Sequence, residues 1–241
     1  MSIFGVRQND VSQLDESKRY EPFGLWVFLA LALVIMVLAR SEHYLLFHTM
    51  AEIIAIMVNF SIFSLVWTAR HQLSNHYLTL LGSAYGAIGL VDIFHALTFK
   101  GMTLLPDVTS NYPTQLWLIA RLIEALAVVL APLLIRHPLG FLRPALAFGL
   151  VGGIGVLSVF KGWLPTAFED GVGLTPFKIV MEYVIIGLTL VGMVLLWRHR
   201  DRFTKKVFWL LVGSLLSAAY YVVVQTKVFA SDIVSYFRLD G

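Results

Sequence analysis

In the run "LVDIFHALTFKGM", residues Leu90–Met102, an aspartate and a histidine, Asp92 and His95, stand one helical turn apart inside an otherwise apolar stretch. Side chains three or four positions apart share a helix face. An imidazole and a carboxylate so placed can hold a metal ion, pass a proton or hydrogen-bond to one another. "YLLFHTMAEIIAIMVNF", Tyr44–Phe60, carries a second such pair, His48 and Glu52 at i,i+4, and "LWLIARLIEALA", Leu116–Ala127, carries Arg121 and Glu124 at i,i+3. Asn59 extends the first stripe by two turns, and Tyr85 extends the second.

Two imidazoles with Glu52 and Asp92 combine borderline and hard donors, a set that suits Zn, Fe or Mn. His48 and His95 on different helices equally suit the axial positions of a b-type haem, with Arg121 available to a propionate. The carboxylates of Glu52, Asp92 and Glu124 would crowd that anionic cofactor, so charge favours the divalent metal; a diffusible ligand is the third option. A plainer reading stands beside these: Arg121 with Glu124 or Glu52 forms a structural ion pair. Glu182, near the start of an apolar run, is expected at the membrane interface, and His43, His71, His76, His137 and His199 at solvated edges. No H-E-x-x-H, G-x-S-x-G or P-loop pattern occurs, and the glycines of "GLVGGIG" lie inside an apolar run, where they serve helix packing.

The elements that must position these residues follow from composition. Of 241 residues 58% are hydrophobic and 14% charged, with mean hydropathy +0.78. Soluble domains sit near about 45–50% apolar and about 25% charged. The chain is therefore an all-α polytopic transmembrane bundle whose first partner is the lipid bilayer. Its net charge of +3 gives no basis for nucleic-acid binding, and the absence of cysteine excludes disulfides and thiolate sites. The polar first residues do not form a signal peptide. A bilayer core of about 30 Å needs about 20 helical residues. This predicts seven spans: Pro22–Ala39, Tyr44–Ala69, Tyr77–Leu97, Leu116–Ile135, Pro144–Phe160, Ile179–Trp197 and Val207–Val228. Lys and Arg, above all in "RHRDRFTKK", favour a cytoplasmic N-terminus. His48, Glu52, Asp92, His95, Arg121, Glu124 and Glu182 then all lie in the outer half of the membrane. Ionisable groups within spans are expensive, about 2.5–3.5 kcal/mol each at mid-helix, so a shared polar pocket is expected. Gly82, Gly86 and Gly89 would let their helix approach its neighbours closely. The connectors "TFKGMTLLPDVTSNYPTQ" and "KGWLPTAFEDGVGLTPF" read as ordered caps over the pocket, with Trp163 at the interface.

"FHTMAE" (Phe47–Glu52), "DIFHALTFKGM" (Asp92–Met102) and "NYPTQLWLIARLIEALA" (Asn111–Ala127) resemble MASE3, a membrane-associated sensor domain of bacterial histidine kinases and diguanylate cyclases. The resemblance implies an eight-helix bundle in the bacterial cytoplasmic (inner) membrane, whose last helix returns to a cytoplasmic output domain. It divides the chain into a cytoplasmic segment, 1–21, and a transmembrane sensor domain, 22–241, truncated before that helix and output. Its characteristic residues fall on His48, Glu52, Asp92, His95, Gln115, Trp117, Arg121 and Glu124. It also implies a non-catalytic input domain that passes a signal to a kinase or cyclase, and a homodimer, since such outputs work as dimers. The alternative of another class is a seven-pass metal-dependent hydrolase, with Asp92 or Glu124 activating a metal-bound water. A transporter is disfavoured because no pair of Gly/Pro-broken helices repeats in two halves.

Overall fold

In a bilayer every backbone N–H and C=O must be satisfied within its own segment, which makes a long apolar run a helix. The computed structural model describes residues 44–220 apart from 74, 103–107, 138 and 139, together with Val27, Ala30, Leu31, Val34, Ile35 and Leu38. Five helices in it are long and apolar enough to cross a membrane. They are α1 (Tyr44–Ala69), α2 (His76–Thr98), α3 (Asn111–Leu133), α4 (Leu142–Phe160) and α5 (Pro176–Arg198). Residues 205–220 form a further helix, α6. Seven spans were expected; five stand among the described residues, and the expected first and last spans run outside them. The chain divides into two compact units, Met1–Ala51 and Glu52–Gly241. In the first unit the described residues before position 44 are helical and 44–51, with His48, begin α1; the second holds the other elements.

The helix ends follow local chemistry. The Asn75 side chain caps α2 by accepting from the Tyr77 N–H, and the Thr175 hydroxyl caps α5 by accepting from the Lys178 N–H. Pro176 opens α5 and Pro113 lies in the first turn of α3. Both are positions where a missing N–H costs no helical bond.

α2 is the most enclosed span, with 67% of its apolar window buried, against 6% for α1. It packs on α3 and α4, and α3 also packs on α5. Tyr77, Ile88, Val91, Leu116, Ile123 and Val128 are core residues of this packing. The expected close approach of α2 is present: Gly82, Gly86 and Gly89 lie against Val66, Phe63 and Phe60 of α1, with no room for a β-carbon at the first two.

The C-terminal ends of α2 and α4 and the N-terminal ends of α3 and α5 share one end of the bundle. A small antiparallel hairpin, β1 (Phe168–Glu169) with β2 (Gly173–Leu174), closes it. Its turn needs Gly171 and Gly173, whose φ angles of 87° and 110° lie in the left-handed region.

Candidate functional site

α1, α2 and α3 each bring one of the polar pairs towards this end. Asp92, 4% exposed, accepts a hydrogen bond from the Asn59 amide at 2.8 Å. The Arg121 guanidinium reaches the same Asp92 oxygen at 3.5 Å and binds Glu124 at 2.6 Å. Tyr85, one helical stripe behind Asp92, also interacts with Glu124. These contacts form one chain, Asn59–Asp92–Arg121–Glu124, across three helices. The bland expectation of an ion pair between Arg121 and Glu124 therefore holds, and Arg121 has a second anionic partner as well. Its Nε, by contrast, is buried with no partner among the described residues.

One turn along α2, His95 turns elsewhere. Its Nδ1 lies 2.8 Å from the Pro113 carbonyl and its Nε2 lies 3.5 Å from a Glu52 oxygen. A carbonyl oxygen only accepts, so Nδ1 carries the proton. In the neutral ring Nε2 is then an acceptor, and it faces a carboxylate, which is also an acceptor. Such an arrangement is stable with an electrophile between the two: a proton, giving an imidazolium–carboxylate pair, or a metal ion. The Pro113 carbonyl is the kind of outer partner that fixes the tautomer of a metal-binding histidine.

His48 lies on α1 one turn before Glu52 and is half-buried, which puts the two side chains on one face of that helix. Glu52, Asp92, His95, Arg121 and Glu124 thus come together in the second unit. Three carboxylates against one guanidinium leave that group with a formal excess of two negative charges when His95 is neutral.

Trp117 and Gln115 do other things. The Trp117 ring lies under the Lys178 ammonium, 5.1 Å from its centroid, among Leu122, Phe177 and Met181. Gln115 donates to the Pro165 carbonyl at 2.7 Å, and the Asn111 side chain accepts from the Ala167 N–H at 2.7 Å. Both pin the 161–175 connector onto α3, so this expected cap is ordered, with Trp163 66% exposed. The other cap includes 103–107, outside the described residues.

Glu182 corrects an expectation. It is fully buried instead of exposed, paired with Lys178, itself 5% exposed, one turn before it on α5. The i,i+4 spacing of Lys178 and Glu182 was the available signal for this pair. The Pro113 carbonyl had none, because a backbone acceptor is not written in residue types.

Compared with known families, residues 39–235 match the family model MASE3, described as a membrane-associated sensor domain. Comparison with curated proteins and with solved structures yields no match.

Proposed function

Because the chain belongs to the MASE3 family of membrane-associated sensor domains, we propose that it is the sensory input of a bacterial signalling protein and that it reads a divalent metal ion. Glu52 and His95 would hold the ion. The observation that carries the reading is the facing of His95 Nε2 and the Glu52 carboxylate at 3.5 Å, with Nδ1 already committed to Pro113. Imidazole nitrogen with carboxylate oxygen suits Zn, Mn or Fe. The formal negative excess around Arg121 favours a cation as ligand.

The donors come from two helices, and this supplies a mechanism. A ligand shifts a conformational equilibrium only through its different affinity for the two states. An ion held by Glu52 on α1 and His95 on α2 favours the packing in which these helices are closest. Sliding of about 1–2 Å is enough for a switch, and the glycine face of α2 provides a smooth surface for it. Asn59, Asp92, Arg121 and Glu124 would hold α3 in register with that movement. The shift would pass to a cytoplasmic kinase or cyclase, within a homodimer of the inner membrane, with the N-terminus and the cluster Arg198–Lys206 on the cytoplasmic side.

Two alternatives are weaker. Haem requires an iron at an imidazole nitrogen, yet the space against His95 Nε2 is filled by Glu52 and Nδ1 is bonded to a carbonyl. A hydrolase requires a carboxylate able to take a proton from water, yet Asp92 and Glu124 are both bound to Arg121. The family is also one of sensors, with no enzymatic family indicated.

X-ray absorption at the zinc edge of the zinc-loaded protein tests the reading. The expected spectrum has a nitrogen and oxygen shell with imidazole scattering, reduced in His95→Ala. A shell of oxygen alone, unchanged in that variant, would contradict it.

A further inference from the structure

α1, α2 and α4 enclose a crevice of about 460 Å³ whose lining includes none of the polar pairs described above. That size lies within the range of small-molecule sites, about 300–1,000 Å³. Its walls are Phe60, Phe63, Trp67, Phe141, Leu142 and Leu146. On the α4 side Gly149 leaves it open, since a β-carbon there would meet nothing within 4 Å, whereas at Gly86 the Phe63 ring fills the place of a side chain. Phe141 stands edge-on to both Phe63 and Trp67, at 5.3 and 5.2 Å, which gives the crevice a stiff aromatic end. Leu142 and Leu146 are 58% and 65% exposed, so it opens on the lipid-facing surface.

Cations flank this aromatic end. Arg70 stacks on Trp67, 4.0 Å from the ring centroid, and spends one donor on the Trp67 carbonyl. A guanidinium has five donors in a planar fork, so others remain for a phosphate. Arg143 follows Leu142 on α4 and is exposed. Among the described residues neither arginine is paired with a carboxylate, whereas Arg121, Lys100, Lys178 and Arg200 all are.

We propose that this crevice binds one anionic phospholipid, with an acyl chain between Phe60, Phe63 and Leu146 and its phosphate on Arg70 and Arg143. Basic pockets between membrane helices take such headgroups. The occupant bridges α1, α2 and α4, so it sets the packing of the same α1–α2 pair that carries Glu52 and His95. The binding itself stands whether or not the metal reading does.

The test uses the purified chain in neutral detergent with equal amounts of phosphatidylglycerol and phosphatidylcholine of identical acyl chains. Bound lipid is counted by native mass spectrometry. One phosphatidylglycerol should be retained in preference, and Arg70→Gln and Arg143→Gln should each lower that preference about fivefold, the effect of one basic residue near anionic lipid. A β-carbon at Gly149 meets nothing within 4 Å, so Gly149→Phe should fill the crevice and remove the lipid without disturbing the fold. Ala145→Phe, also on the wall, is an independent filling change. Equal retention of the two lipids, or retention unaffected by either filling variant, overturns the proposal. So does occupation by the chain's own residues 22–39. The sequence has no cysteine, so a cysteine at Gly149 and one in that segment would then form a disulfide in most molecules.

Discussion

His95 and Glu52 approach each other at 3.5 Å from two different helices, and a backbone carbonyl, that of Pro113, decides which nitrogen of the imidazole does so. The rest of the polar end can be understood as support for this approach. Asn59 and Arg121 hold Asp92, Glu124 holds Arg121, and Gln115 and Asn111 hold the connector above.

Arg121 is the cation shared by Asp92 and Glu124. Arg121→Met should destabilise the protein by about 3 kcal/mol, the lower end for breaking a buried pair, because the arginine is partly exposed. Adding Asp92→Asn should recover much of the loss, since Asp92 is the buried charge left without its cation. Thermal unfolding of the single and double variants in one detergent measures both effects.

The α1–α2 contact predicts a contrast between glycines. Gly86→Leu drives a side chain into Phe63, and overpacking of this kind costs about 1–3 kcal/mol. Gly153→Leu, where a β-carbon meets nothing within 4 Å, should stay within about 0.5 kcal/mol of the parent. Equal unfolding temperatures for the two variants would remove the close packing of α1 on α2.

Lys178 and Glu182 form a buried pair on α5. Lys178→Met leaves a fully buried carboxylate without its ammonium, and a loss of about 3–5 kcal/mol is expected. Lys178→Met with Glu182→Leu should be close to neutral, because apolar replacement of a whole buried pair often is. A double variant no more stable than the single one would show that Glu182 has another role.

The hairpin has a pH-dependent tie. Asp170 accepts from Lys100 and from Ser110, at 3.1 and 3.0 Å, and these bonds hold its carboxyl below the ordinary value of 3.8. A lowered carboxyl stabilises fully above its ordinary value and loses that contribution as pH falls through the lower folded value. Asp170→Asn should therefore speed protease cleavage near Gly171 at neutral pH. The difference from the parent should vanish in strong acid, checked by hydrogen exchange of the same segment.

Much of this architecture was legible in the sequence, and the gaps have physical reasons. Apolar length predicted the five spans among the described residues because a bilayer leaves the backbone no other choice, and helical period put His48 with Glu52 and Asp92 with His95. Period alone could not show that Asp92 and His95 part company, Asp92 turning to Arg121 and His95 to Glu52 and Pro113. That choice depends on neighbouring helices. Glu182 was misplaced because depth was judged from distance to the end of an apolar run. Helix α5 packs on α3, and Lys178 neutralises the carboxylate buried beside it. Trp117 entered with the family resemblance, and its contact is with Lys178, away from the carboxylates.

Titration of the purified protein with zinc tests the central claim most directly. The account predicts one equivalent bound, with affinity reduced at least tenfold in Glu52→Gln and in His95→Ala. Asp92→Asn should weaken it less, because Asp92 faces Arg121. No saturable binding by the parent protein, or binding that Glu52→Gln and His95→Ala leave unchanged, would contradict the account and reduce the His95–Glu52 approach to a proton-mediated structural pair.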